Sequence, residues 1–262
     1  MRPHSRLLHI PCLSTLLACG SQATSAADDA WAFSVAPLYL WGKSIEASAT
    51  AGGSTLPLDL TFKDEILENL DAAFALHLEA SKGALTLFAE YNYAKLKPTA
   101  EAIFQAGEAR VDVDFKDIMA EGGLTWAFAE SAAMRWEVLG GLRYYKQDVE
   151  TKLTLSVPDQ QSTARRWRTG DSWVHPFAGV RLRATLGEKW MLRLRGDYGY
   201  EDSDNSGLQG IATIDYRFRE WGSAFFGYRY YDMDYNNSAS GLDQYGFDGK
   251  QRGPLIGLNL HF

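Results

Sequence analysis

Cysteine is almost missing from this chain: 262 residues hold two, Cys12 and Cys19. Both fall in an N-terminal stretch shaped like an export leader. Arg2 and Arg6 precede an apolar run from Leu7 to Ala18 that His9 and Pro11 interrupt, and small residues follow in Ala23-Thr-Ser-Ala-Ala27. Cleavage near Ala26 or Ala27 makes 1–26 a signal peptide. Leu16-Leu-Ala-Cys19 supports a competing reading, a lipobox with Cys19 lipidated. With the first cleavage the expected mature chain, 27–262, has no disulfide and no thiolate chemistry. Histidine is scarce as well, with His77, His175 and His261 left beyond the leader. No Cys/His cluster and no glycine-rich phosphate cradle appears, so neither a metal nor a cofactor is expected. Basic charge is short too: without Arg2 and Arg6, 24 basic residues face 33 acidic ones, which argues against nucleic acid as a partner. Beyond the leader no apolar run approaches the roughly 20 residues of a membrane-spanning helix.

What the chain does have is alternation. Trp190, Leu192, Leu194, Gly196, Tyr198 and Tyr200 share one face of an extended segment, and Arg193, Arg195 and Asp197 share the other. Val174, Ala178, Val180, Leu182 and Ala184 oppose His175, Arg181 and Arg183, and Leu208, Ala212, Ile214, Tyr216 and Phe218 oppose Gln209, Asp215 and Arg217. A strand that meets lipid on one side and a polar lumen on the other reads this way. Segments near 31–43, 71–81, 84–97, 108–128, 134–155, 171–186, 190–202, 208–218, 223–235 and 251–262 give ten strands. The turns at 82–83, 129–133, 187–189 and 219–222 are short, whereas 44–70, 98–107, 156–170, 203–207 and 236–250 are longer. Short periplasmic turns alternating with longer outside loops are the pattern of a transmembrane β-barrel, and an even count brings both ends to one side. The expected fold is all-β: a ten-stranded antiparallel transmembrane β-barrel.

Three details refine this expectation. Thr55–Phe62 alternates like a strand but is followed by Lys63-Asp-Glu-Ile-Leu-Glu-Asn-Leu70, a helical turn, so 44–70 is expected to be a folded first extracellular loop. The phase slips between Val111/Val113/Phe115 and Ile118/Ala120/Leu124, which suggests a β-bulge where that strand leaves the membrane. Trp31, Trp126, Trp136, Trp190 and Trp221 fall at periplasmic strand ends and Trp41 and Trp173 at outer ends. Those are the heights at which aromatic belts form, and only Trp167 sits in a loop.

The C-terminal segment Pro254-Leu-Ile-Gly-Leu-Asn-Leu-His-Phe262 is apolar at Pro254, Ile256, Leu258, Leu260 and Phe262. Ending on an aromatic residue, it resembles the closing strand of bacterial outer-membrane β-barrels. With Ala36-Pro-Leu-Tyr-Leu-Trp41, Phe62-Lys-Asp-Glu-Ile-Leu-Glu-Asn-Leu-Asp71, Val111-Asp-Val-Asp-Phe115, Gly227-Tyr-Arg-Tyr-Tyr-Asp-Met-Asp-Tyr235 and Gly253-Pro-Leu-Ile-Gly-Leu258, the chain resembles small OmpA-like barrels in general. It is more similar to a widespread group of uncharacterised bacterial outer-membrane proteins. The resemblance implies the bacterial outer membrane as location, a monomer, and lipid and lipopolysaccharide as surroundings. It also implies that Ile256, Leu258, Leu260 and Phe262 signal to the barrel-assembly machinery. It brings no catalytic residue.

The candidate site is the lumen. Glu79, Glu90, Glu121 and Glu137 fall on inward faces of neighbouring strands, and Arg181, Arg183, Arg193 and Arg195 fall on the opposite wall, with Arg229 farther round. Buried ions must be paired or hydrated, so this set reads either as a charge-paired plug or as a narrow pore with a field across it. His175, facing inward near the outer rim on a strand beside Asp197 and Glu201, is the one candidate catalytic base; Pro176 follows it and no Asp-x-His or His-x-Ser motif accompanies it. His77 and His261 read as structural. Arg165, Arg166 and Arg168 flank Trp167 in an outside loop, where guanidinium groups would meet lipopolysaccharide phosphates. Asp202, Asp204, Asp232, Asp234, Asp243 and Asp248 line the outer rim in spacing that matches no calcium loop. The leading role is structural or that of a restricted small-solute channel. The alternatives are a rim enzyme acting on lipid or peptide, and a surface-binding protein that uses its loops.

Overall fold

The computed structural model describes residues 30–104, 107–157 and 162–262; the leader assigned to 1–26 lies outside them, as do positions 105–106 and 158–161 of two expected loops. Alternating sequence becomes extended backbone along almost the whole described chain. The strands are β1 (Ala32–Trp41), β2 (Ser44–Ala51), β3 (Ser54–Leu60), β4 (Leu70–Lys82), β5 (Leu85–Leu96), β6 (Thr99–Phe104) and β7 (Gly107–Glu130). They continue with β8 (Met134–Ser156), β9 (Thr163–Thr185), β10 (Trp190–Asp202), β11 (Asn205–Arg219), β12 (Gly222–Asn236) and β13 (Tyr245–His261). Ten of them, β1, β4, β5 and β7 to β13, form an antiparallel ring that closes where β13 pairs with β1. Closure leaves no sheet edge running the length of the wall, which is what lets strands stand in lipid.

The outer surface carries the expected grease. Trp31, Phe33, Leu78, Leu124, Trp126, Phe128, Trp136, Val138, Val180, Phe226, Ile256 and Leu258 are all exposed large apolar side chains. Contiguous apolar surface on that scale marks a lipid-facing belt. At the C-terminus, Phe33 and Phe262 exchange backbone N–H···O bonds at 3.0 and 2.9 Å, which ties the last residue to the first strand.

The expected first loop is more regular than its sequence suggested. After Gly42 and Lys43 the chain resumes as β2, which continues the line of β1 along β13, and β3 folds back on β2. Phe62–Leu67 forms a wide helical turn capped by Thr61. The connections expected at 98–107 and 156–170 are largely strand: β6 pairs with β7, and β8 and β9 stay paired out to Leu155 and Thr163. At about 3.4 Å per residue, the 24 residues of β7 cover ~80 Å, far more than an apolar band of about 25 Å requires. The surplus stands above the membrane as a projecting sheet.

Two expectations fail. The expected bulge near Phe115 is not there: β7 holds one register against β8 from Glu108 to Ala127 and against β5 from Phe115 to Trp126. The slip is instead an exchange of polarity between faces. Within lipid the outward residues are apolar (Leu124, Trp126); above it the outward residues Asp112, Asp114 and Lys116 meet water, and the inward ones, Val111, Val113 and Phe115, are apolar. The shifts that do occur lie at Ala127/Ala129 on β7, at Val35/Leu38 on β1 and near other strand ends. The second failure concerns tryptophan. Trp173 is 5% exposed and Trp41 half-buried, both packed into the barrel's upper core rather than facing lipid.

Candidate functional site

The parity that puts apolar side chains outside puts every second residue into the lumen, and the polar ones converge there in tiers. Nearest the periplasmic end, Arg181 of β9 donates from Nε to Glu137 of β8 at 2.5 Å, from Nη1 across the lumen to Glu79 of β4 at 2.5 Å, and from Nη2 to the Thr125 hydroxyl at 3.1 Å. Arg183 reaches the same Glu137 at 2.6 Å, and Arg193 lies 3.3 Å from Asp215. In the middle tier Glu121 of β7 accepts from Arg143 Nε at 2.8 Å and Arg195 Nη1 at 2.6 Å. Asp197 accepts from the same two guanidiniums at 2.8 and 2.7 Å. Arg229 of β12 spans the barrel to Glu90 of β5, and His77 stands between Glu79 and Glu90 at 3.4 and 3.3 Å. The upper tier is thinner: Lys43 reaches Asp117 and Gln251, and Gln147 donates to Asp117 at 3.0 Å while accepting from the Tyr245 hydroxyl at 2.6 Å.

Aromatic rings separate the cations. Arg143 lies 4.6 Å from the Phe177 ring centre and 5.1 Å from that of Tyr231, Arg195 5.0 Å from Phe88, and Arg229 4.7 Å from Trp41. A guanidinium is flat enough to pair at its edge and stack on its face together. Above this layer Tyr145, Trp173, Tyr231, Met233, Tyr235, Tyr245 and Phe247 fill the outer half of the lumen with Ile45 and Ile66 from the folded loop. The cavity at the level of the lower charges measures about 50 Å³. Wider vestibules lie at each end, about 520 Å³ beside Trp31, Arg135 and Phe262 and about 450 Å³ beside Glu201, Asn205 and Tyr235.

All nine charged positions singled out for the lumen point inward, but the two walls are not of single sign. Arg143 sits among the glutamates; Asp197 and Asp215 sit among the arginines. Arg143 is a further lumen charge, reached by stepping in twos from Glu137 along β8, and its side chain has no solvent contact. His175 is fully buried, with Nδ1 3.0 Å from Asn205 Oδ1 and Nε2 3.4 Å from the Tyr231 hydroxyl. Room for it comes from Gly199, where a Cβ would lie 2.4 Å from the imidazole. Asp197 is committed to arginines, and Glu201 reaches His175 only through Asn205, whose Nδ2 donates to it at 2.7 Å. Arg165, Arg166 and Arg168 stand on strand β9 rather than in a loop, paired against Leu153, Lys152 and Glu150, and Arg168 donates to Glu150 at 2.8 Å. Ile256 and Leu258 face outward, and Leu260 and Phe262 continue their row. Among the described residues no group of three or more His, Cys, Asp or Glu could hold a metal ion.

No sequence-family profile matches the chain, and no curated protein does. Solved structures do. The outer-membrane protease OmpT from Escherichia coli superposes with a TM-score of 0.59 at 10% identity, over 90% of this chain and 98% of that one. The translocator domain of the autotransporter NalP from Neisseria meningitidis gives 0.40 at 13% identity over 90% of each chain. The toluene transporter TodX from P. putida gives 0.36 at 11% identity over 90% and 91%. At such identities the likeness shows the fold alone: this chain has the fold of the bacterial outer-membrane β-barrels.

Proposed function

We propose that this protein is a closed outer-membrane barrel whose ion-paired lumen is a plug and whose role is structural. The observation that supports it is the crossing of the lumen by Arg181–Glu79 and Arg229–Glu90, with both members of each pair at most 8% exposed. Small barrels have interiors filled by side chains, and wide ones leave water channels. Breaking one of these pairs leaves an unpaired buried charge, so the plug is held shut by the cost of opening it. Outer-membrane lipid would surround the belt, and Arg165, Arg166 and Arg168 on the projecting sheet would meet lipopolysaccharide phosphates. The outward row Ile256, Leu258, Leu260 and Phe262 would be the surface read by the assembly machinery.

A second reading, a restricted channel for small ions, draws on the two open vestibules that flank the charged tiers. A rim hydrolase centred on His175 draws no support from its geometry, since the imidazole is enclosed and has no carboxylate in direct reach. The deciding experiment is single-channel recording on the refolded mature chain in lipid bilayers, with heat-modifiable gel migration as proof of folding. A silent barrel agrees with the plug. Steady conductance whose ion preference shifts on neutralising Arg181 and Arg183 overturns it in favour of the channel.

A further inference from the structure

The ladder between β1 and β4 is the shortest between neighbours in the ring: five residue pairs, from Ala32/Ser81 to Ala36/His77. Above it the two strands part. At Pro37 the chain has no N–H to give, and the register shift between Val35 and Leu38 turns β1 toward β13, which it follows from Leu38 to Trp41. The residues of β4 from Leu70 to Leu76 pair with β5 on one side and, among the described residues, with no strand on the other. Leu38, Leu40 and Phe74 are exposed on the outer surface beside this parting, which puts it in the lipid-facing belt. An unpaired strand edge at hydrocarbon depth leaves backbone groups without partners, each at a cost of several kcal/mol, and barrels otherwise avoid it. The flanking side chains are apolar from Leu38 to Trp41 and from Ala72 to Leu76. On the lumen side lie Tyr39 and Ala75, and Tyr39 stacks on His77 at 4.9 Å at the foot of the gap. The Phe62 ring closes its head against Gly42.

We propose that the outer-leaflet half of the β1–β4 seam is a lateral portal that admits a lipid acyl chain from the bilayer as far as Tyr39 and Ala75. The occupant follows from continuity: the seam opens on the lipid belt, its outward side chains Leu38, Leu40 and Phe74 are apolar, and what lies behind Tyr39 and Ala75 is an apolar cluster with Ile211, Phe225 and Leu255. Arg229, Glu90 and the packed upper core stop the chain at that depth. Tyr39 and Trp41 are the side chains that swing to make room. The portal is independent of whether the lumen conducts ions.

The test uses site-specific photocrosslinking on the folded mature chain in phosphatidylcholine vesicles with tritiated acyl chains. A diazirine amino acid is placed at Tyr39 or, separately, at Ala75, both lumen-side residues. The outward Leu258 serves as the positive control and the inward Leu139, buried on β8 in a separate cluster, as the negative one. Lipid adducts at Tyr39 and Ala75 approaching those at Leu258, with none at Leu139, are the expected result. Pro37→Ala, by returning a donor to β1, should cut the Tyr39 and Ala75 adducts severalfold without changing Leu258. Labelling at neither Tyr39 nor Ala75 while Leu258 labels overturns the portal, and so does equal labelling at Leu139. Gel heat-modifiability confirms each variant folded, and the two seam positions guard against the failure of one.

Discussion

Arg143 and Asp197, 54 residues apart in the chain, meet at 2.8 Å in the lumen with no solvent contact on either side chain. Each also touches a second partner: Arg143 shares Glu121 with Arg195, and Asp197 takes the Gln209 amide at 2.9 Å. Removing Arg143 leaves Glu121 and Asp197 with one guanidinium, that of Arg195, between them, and so an uncompensated negative charge in a site water does not reach. Arg143→Gln should therefore destabilise the folded barrel by roughly 3–5 kcal/mol, read from urea-induced unfolding in lipid. Asp197→Asn on that background should recover part of the loss, because the stranded charge goes with it. Simple additivity of the two variants would show that the pair is not coupled.

Gly199 makes room for His175, and Gly207 does the same for Tyr231, whose hydroxyl a Cβ would meet at 2.1 Å. Gly199→Ala should drive the imidazole off Asn205 and cost about 1–3 kcal/mol through overpacking. His175→Ala should relieve most of that cost in the double variant, since the clash is with the ring. A double variant as unstable as Gly199→Ala would place the strain in the backbone instead.

Trp126 and Trp136 are 53% and 41% exposed on the lipid face, and Trp173 is stacked 4.0 Å from Tyr235 inside the barrel. In single-tryptophan variants, brominated lipids should quench Trp126 and Trp136 strongly and leave Trp173 nearly unchanged. Quenching of Trp173 to the same extent would return it to the aromatic belt.

Trp173 also shows how far alternation alone can be carried. Parity, short turns and an even count recover the ten-stranded ring, because lipid holds one face of every strand to a single chemistry. That constraint ends at the membrane boundary. Above it the outward face meets water and the inward face gathers Phe115, Trp173 and Tyr235, so apolar residues change sides without any change of register. Val111 to Phe115 look like a bulge for this reason. The extent of β8 and β9 was hidden for a related one: Arg165 to Arg168 are polar enough for a loop, yet an extended strand in water can be charged on its exposed face. Within the lumen, Glu79 and Arg181 follow from parity, but which charges meet across it depends on strand tilt and side-chain reach, which leave no mark on spacing.

The helical turn of the first loop carries a built-in response to acid. The Thr61 backbone N–H donates to Glu65 Oε2 at 2.7 Å, its hydroxyl donates to the same oxygen, and Asp64 N–H donates back to the hydroxyl at 3.4 Å. This reciprocal capping favours the ionised carboxylate, so the Thr61 hydroxyl and N–H hold the Glu65 pKa below the ordinary carboxylate range. A group whose pKa is lower folded than unfolded stabilises the turn above its unfolded value, and that contribution fades as pH falls through the folded one. Hydrogen-exchange protection across Phe62–Leu67, corrected for intrinsic rates, should stay level from neutral pH down to about pH 5 and then decline. Glu65→Ala should show the lower protection already at neutral pH and no such decline. Identical profiles for the two proteins would mean that the Phe62 contact with Gly42, rather than the Thr61 cap, holds this turn in place.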